Sequence, residues 1–279
     1  MTPLKAILQV LAALASLSVL PAVAQTRTQS YGGRDMLVHV PPSPPRALVV
    51  VLHGGLGNAE RIEGRMNERS MNLDALADKD GFIVAYLNGT PVTRMTGMRA
   101  FGWNAGACCG MSAANRIDDV GYIAGAVNDL LSRFHIPRGR AFVIGHSNGA
   151  MMALRMMCET RTFAAAISIS GALETNDDKC PAAKDARILA IHGAEDETVP
   201  VAGGAGSVGV AVFRGLWTFN YNSEAYTAKI FRGSGATYDL ELVAGAPHAL
   251  DDLDAALRKR DGLSIGDETV RFFGLANVR

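Results

Sequence analysis

The sequence predicts an α/β fold, a mostly parallel central sheet with helices on both faces. Three observations carry this expectation. Short runs rich in Val, Ile and Leu recur along the chain, several of them apolar at every position rather than at alternate ones. That pattern marks strands buried on both faces of a parallel sheet. Segments with helical periodicity lie between these runs. About 255 residues remain once an N-terminal leader is set aside, a length that one large α/β domain can occupy.

The leader comes first. Residues 1–24 read as a signal peptide: Lys5, an apolar stretch from Ala6 to Leu20, and Pro21-Ala22-Val23-Ala24, an A-x-A cleavage signal before Gln25. The apolar stretch is short for a bilayer span of ~20 residues, so cleavage is expected and an uncleaved anchor is the alternative. A single domain over 25–279, secreted or periplasmic and without stable membrane insertion, follows as the expectation.

The strands then follow in order: "MLVHV" (36–40), "ALVVVL" (47–52), "FIVAYL" (82–87), "AFVIG" (141–145), "AAAISIS" (164–170), "RILAIHG" (187–193) and "DLELVAG" (239–245). "PPSPPR" (41–46) is a stiff turn between the first two. Helices are expected near 70–79, 118–134, 148–160 and 266–274, with Asp118-Asp119 as a cap and first-turn charge for the second. The glycine-rich "AGGAGSVGVAVFRGLW" (202–217) reads as a solvent-exposed turn.

Charge and cysteine content bound the function. Lys plus Arg and Asp plus Glu both number 27, and no basic block exists, so nothing favours a nucleic-acid partner. Four cysteines in an exported chain are expected to pair. Cys158 with Cys180 is the favoured link, leaving Cys108 to Cys109. A zinc site is the rival reading, but no histidine lies at ligand spacing from these cysteines.

The chemistry centres on "GHSNG", Gly145 to Gly149. A G-x-S-x-G match alone is weak, yet here it follows a buried strand and opens the helical "AMMALRMMCE". That is the setting of a nucleophile elbow, in which the serine sits on a sharp strand-to-helix turn. A serine hydroxyl needs a base to take its proton, and on such a scaffold the partners follow in the order Ser, Asp or Glu, His. Of six histidines, His39, His53, His135 and His146 precede Ser147, and His192 precedes the acidic loop, which leaves His248. The acid belongs to Glu195-Asp196-Glu197 after "ILAIHG". Asp196 is the choice by its place in HG-x-x-D-x-x-V-P, with its two neighbours as alternatives. The backbone N–H of Asn148 supplies one oxyanion donor. The loop His53-Gly54-Gly55-Leu56-Gly57 supplies the other, Gly55 before Leu56.

These residues resemble a known group. "VVLHGGLGNAE" (50–60), "FGWNAGACCG" (101–110), "DDVGYIAGAVNDL" (118–130), "GHSNGAMMALRM" (145–156) and "IHGAEDETVPVAGG" (191–204) look like the secreted α/β-hydrolases that include polyhydroxyalkanoate depolymerases and feruloyl or acetylxylan esterases. The resemblance spans residues 35–204 and implies the α/β-hydrolase fold. It also implies hydrolysis of small or oligomeric carboxylic esters through an acyl-enzyme, with no metal or organic cofactor. It places Trp103 near the cleft, either as a flat substrate-binding surface or as a core residue. The last third departs from the pattern, with "HALDD" where a tryptophan and proline often follow the histidine. No separate polymer-binding domain is evident, so soluble or short esters are expected over a solid polymer. A peptidase on the same scaffold and an inert binding protein are the alternatives.

Overall fold

Eight strands form the main sheet of the computed structural model, which describes residues 23–64, 71–92, 99–175, 177–206 and 219–276. They are β1 (Gln25–Tyr31), β2 (Arg34–Val40), β3 (Leu48–Leu52), β4 (Ile83–Leu87), β5 (Ala141–His146), β6 (Ala165–Ile169), β7 (Arg187–Gly193) and β8 (Thr237–Val243). Their spatial order is β1-β2-β4-β3-β5-β6-β7-β8. The hairpin β1–β2 is antiparallel and joins β4 antiparallel; every other pairing is parallel. The mostly parallel sheet expected from the apolar runs is therefore present. The signal-peptide expectation for 1–24 lies almost wholly outside the described residues.

Alternate residues of each central strand enter separate apolar layers, because successive side chains of a strand point to opposite faces. Leu48, Val50 and Leu52 of β3 pack beneath α4 (Asp119–Arg133), α5 (Asn148–Glu159) and α6 (Glu224–Gly233). Val49 and Val51 pack on the other face, with α1 (Ala59–Glu63), α2 (Leu73–Asp80), α7 (Leu250–Asp261) and α8 (Ile265–Phe273). The remaining helix, α3 (Gly110–Ala114), follows Cys108 and Cys109. Helix α4 is capped by Asp118, whose side chain accepts the N–H of Gly121. Asp119 is fully buried, bonded to Arg34 and to the backbone N–H of Asn104 (2.6 Å), so it anchors the Trp103-Asn104 segment as well as opening the helix.

The expected helices fall within a few residues of α2, α4, α5 and α8. The sequence reading missed β1, α1, α3, α6 and α7. The glycine-rich stretch holds a short ladder, Gly204–Ala205 with Asn220–Tyr221, and residues 207–218 lie outside the described set. A disulfide joins Cys158 to Cys180, and the sulfurs of Cys108 and Cys109 lie against each other. Among the described residues no helix is long and apolar enough to cross a membrane.

Candidate active site

Ser147 stands at the turn between β5 and α5 with φ 54° and ψ −122°, a backbone conformation that non-glycine residues rarely adopt. Its neighbours make the turn possible. A Cβ on Gly145 would lie 2.2 Å from the carbonyl oxygen of Gly149, and one on Gly149 would lie 2.2 Å from that of Leu52. Only glycine fits where backbones approach so closely. The strained turn is held by the Ser147 N–H donating to the Ile169 carbonyl (2.8 Å) and the Ser147 carbonyl accepting from Met151 (3.0 Å).

The loops after β7 and β8 bring up the other two groups. Glu195 N–H donates to the Ala246 carbonyl (3.0 Å), and Ala194 N–H to that of Val243 (2.9 Å). Gly193 permits this stitching, since a Cβ there would lie 2.3 Å from the Ala246 oxygen. Asp196 Oδ2 consequently meets His248 Nδ1 at 2.7 Å, and His248 Nε2 meets Ser147 Oγ at 3.0 Å. With a carboxylate on one side, Nδ1 carries the proton and Nε2 accepts from the serine hydroxyl. Glu195 and Glu197 are exposed and turned away, whereas Asp196 is buried.

Asp196 is pre-ordered from behind. Its Oδ1 accepts the backbone N–H groups of Thr198 (2.9 Å) and Val199 (2.8 Å). Burial opposes its ionisation. Hydrogen bonds from His192 and His248 outweigh that penalty and hold the carboxyl well below the usual carboxylate range. His146, inside the elbow motif, donates its Nε2–H to the carbonyl of His248 (3.0 Å). Burial and the neighbouring His248 lower its pKa to about 4, so it stays neutral and fixes the His248 loop. The order rule set His146 and His192 aside as the base, and it gave no hint that both brace Asp196 and His248.

Asn148 and the loop after β3 lie together beside Ser147, where a Cβ on Gly54 would stand 3.4 Å from that of the serine. Leu56 commits its N–H to the Phe101 carbonyl (2.9 Å) and Gly57 its own to Gly54 (3.0 Å). Among the described residues, the N–H groups of Gly55 and Asn148 have no such acceptor. A Cβ on Gly55 would stand 3.7 Å from that of Asn148, so the two residues face the same space. Of the two donors the sequence left open, Leu56 is occupied, and Gly55 N–H has no backbone acceptor among the described residues. The Asn148 side chain does a different job. Its Oδ1 accepts Trp103 N–H (2.8 Å) and its Nδ2 donates to the Trp103 carbonyl (3.1 Å).

Trp103 corrects one expectation. The ring is 0% exposed and packs 5.1 Å from His53, with Nε1 donating to the His53 carbonyl (3.0 Å). No face is open for a substrate to stack on; the residue is a buried strut under the oxyanion loop. His53 is itself neutral, lowered to about 4 by burial, with Nδ1 bonded to the Gly54 carbonyl (2.7 Å) and Nε2 accepting from Gly89 N–H (3.1 Å). Among the described residues no His, Cys, Asp and Glu side chains are grouped to hold a metal ion.

Comparison with known proteins agrees with this architecture. Among solved structures of similar fold are an acetyl xylan esterase from Aspergillus awamori, with TM-score 0.58 and 18% identity over 91% of this chain and all of that one, and the poly(3-hydroxybutyrate) depolymerase LpqC from Bordetella parapertussis, with TM-score 0.53 and 18% identity over 90% of this chain and 94% of that one. At such identity the likeness shows the fold alone. In sequence the chain is 30% identical over 187 residues to NocK of Nocardia uniformis subsp. tsuyamanensis, an esterase by name. The match takes in 65% of this chain and 49% of NocK, so the chain spans about half the length of that curated relative. Residues 34–228 match the family model described as phospholipase/carboxylesterase, and the chain belongs to that family of α/β-hydrolases.

Proposed function

We propose that this protein is a serine esterase, secreted or periplasmic, that hydrolyses small or oligomeric carboxylic esters through an acyl-enzyme. The observation that carries the reading is the unbroken line from Ser147 Oγ to His248 Nε2 (3.0 Å) and from His248 Nδ1 to Asp196 Oδ2 (2.7 Å). Ser147 Oγ attacks the ester carbonyl carbon as its proton passes to His248 Nε2. The carbonyl oxygen, now an oxyanion, is received by the N–H groups of Gly55 and Asn148. The C–O bond to the alcohol breaks, and the alcohol leaves with the proton from His248. Water then gives a proton to His248, attacks the acyl carbon, and the acid departs as Ser147 recovers its proton. Asp196 keeps the imidazole in the tautomer that serves both halves and stabilises the imidazolium formed between them.

Within this class the substrate is proposed to be a polyhydroxybutyrate-type oligomer or a feruloyl or acetyl ester. Support for the substrate comes from the shared motif segments, and the sequence likeness to NocK, an esterase by name, supports ester hydrolysis alone. The test is hydrolysis of p-nitrophenyl acetate, butyrate and octanoate and of methyl ferulate by the wild type and by Ser147→Ala. Turnover that vanishes in a folded Ser147→Ala protein is the expected result, with the chain-length preference sizing the acyl site. A folded wild type inactive on all four esters would reject the reading, and cleavage of peptide p-nitroanilides instead would identify a peptidase.

A further inference from the structure

Beside Asp196, reaching the same carboxylate oxygen as His248, lies a second group of buried ionisable side chains that the reaction steps do not use. His192, at the end of β7, is 0% exposed. Its Nδ1 meets Glu224 Oε1 of α6 at 2.7 Å. Its Nε2 lies 2.9 Å from the Val199 carbonyl and 3.2 Å from Asp196 Oδ2. Glu224 Oε2 in turn accepts the hydroxyl of Tyr238 from β8. Every oxygen around the ring is therefore an acceptor: two carboxylates and a carbonyl. A neutral imidazole would turn one bare lone pair toward one of them, whereas an imidazolium satisfies all three.

We propose that His192 is a positioning residue of the triad, a buried imidazolium clamped by Glu224 whose charge and Nε2–H hold Asp196 ionised and aimed at His248. The inference rests on the esterase reading above and extends it by two residues, His192 and Glu224. Burial alone would strip the charge from His192, but the hydrogen bonds to Asp196 and Glu224 outweigh it and raise its pKa to about 9. Burial and the Glu224 charge keep the Tyr238 hydroxyl protonated, hence a donor. The other groups facing this cluster are Arg232 of α6, whose guanidinium donates to the Tyr238 carbonyl, His146 of β5, which stays neutral, and His248 beyond Asp196. Two carboxylates, Asp196 and Glu224, thus share one buried cation, and Glu224 reaches the reacting atoms only through His192. The charge on His192 also acts through space on the reacting groups beyond Asp196, and the pH profile of activity reads that effect.

The test reads the charge and its effect separately. In 15N-histidine-labelled Ser147→Ala protein, nitrogen NMR at pH 7 is expected to show His192 protonated on both ring nitrogens, a signal separate from that of His39, which faces Asp74 and Asp78. That signal should be absent from the His192→Gln form and neutral in the Glu224→Gln form. In the active background Glu224→Gln, which preserves shape, should move the acid limb of kcat/KM up by about one pH unit. His192→Gln should do the same, and the double variant should add nothing further. A neutral His192 ring, or an acid limb that stays put in a Glu224→Gln protein that has lost the charge, would overturn the proposal and leave the cluster a packing feature. A folded wild type that hydrolyses no ester would reject the functional reading instead, and the NMR arm would still decide whether His192 carries the charge.

Discussion

Replacing Asp196 with Asn tests the site at its most constrained atom pair. The carboxylate receives four donors: Thr198 and Val199 N–H on Oδ1 at 2.9 and 2.8 Å, His248 Nδ1 on Oδ2 at 2.7 Å, and His192 Nε2 3.2 Å from the same oxygen. An amide offers one oxygen and one NH2, so two of those donors must meet another donor. The backbone N–H groups cannot move, and the amide oxygen stays with them. The NH2 then faces His248, whose Nδ1 must become the acceptor while the ring proton shifts to Nε2, opposite the serine hydroxyl. The base is thereby lost although every atom stays near its place. A wrong tautomer of this kind costs about 10⁴ in kcat, or about 5.4 kcal/mol of transition-state stabilisation at 1.36 kcal/mol per decade. Steady-state hydrolysis of p-nitrophenyl butyrate, with thermal unfolding to check the fold, measures it. Glu195→Gln and Glu197→Gln, both at exposed positions, should keep nearly full activity. If Asp196→Asn kept more than a tenth of wild-type kcat/KM, the acid would not be Asp196 and the tautomer argument would fail.

Three further outcomes are expected. Asn148→Ala strands the buried N–H of Trp103 and leaves its carbonyl only the longer bond from Cys109 N–H (3.4 Å), at about 1–3 kcal/mol of stability; an unchanged denaturant midpoint would show that the side chain is not a tie. The Cys158→Ala/Cys180→Ala double variant opens a loop of 22 residues, which in the chain-entropy model costs ~3 kcal/mol, readable by guanidinium unfolding. His39 is buried, which works against its charge, but bonds to Asp74 and Asp78 outweigh this and raise its pKa above 6.5. Its contribution is therefore complete below pH 6.5 and fades as pH rises through the folded-state value. The stability difference between wild type and His39→Gln should shrink over that rise, and a difference that grew would contradict the assignment.

What the sequence made legible follows from where its signals are local. Uninterrupted apolar runs such as "LVVVL" can only be strands covered on both sides, and the glycines of "GHSNG" report a turn decided within five residues. The triad order was readable because elimination left one histidine. Signals failed where tertiary contact decides. Trp103 sits in a glycine-rich segment that looks like an open loop, yet its backbone is tied to Asn148 and its indole to the His53 carbonyl, 45 and 50 residues away. Helix α7 was missed because its sequence, "LDDLDAALRKRD", is mostly charged and buries only Leu253, Asp254 and Leu257. His192 gave no warning either. Its partner Glu224 lies 32 residues on, at the start of a helix the sequence reading did not foresee.

The three motif segments that look separate along the chain form one hydrogen-bonded assembly. Asn148 clasps the backbone of Trp103, the Trp103 indole holds the His53 carbonyl, and His53 locks both the Gly54 carbonyl and the Gly89 N–H. Gly55 is thereby held beside Asn148 by its neighbours alone, since a glycine has no side chain to anchor it. In the proposed mechanism Asn148 is thus used twice, its backbone N–H for the oxyanion and its side-chain amide for the clasp. A serine held at φ 54° costs on the order of 1–3 kcal/mol. Such strain persists only where the surroundings over-determine it, and here they do: two glycines that admit no Cβ, a backbone bond to β6, and an asparagine tied across to Trp103. The same ties that enforce the strain also aim the donors, so the stability of this end of the sheet and the geometry offered to an ester carbonyl are one property.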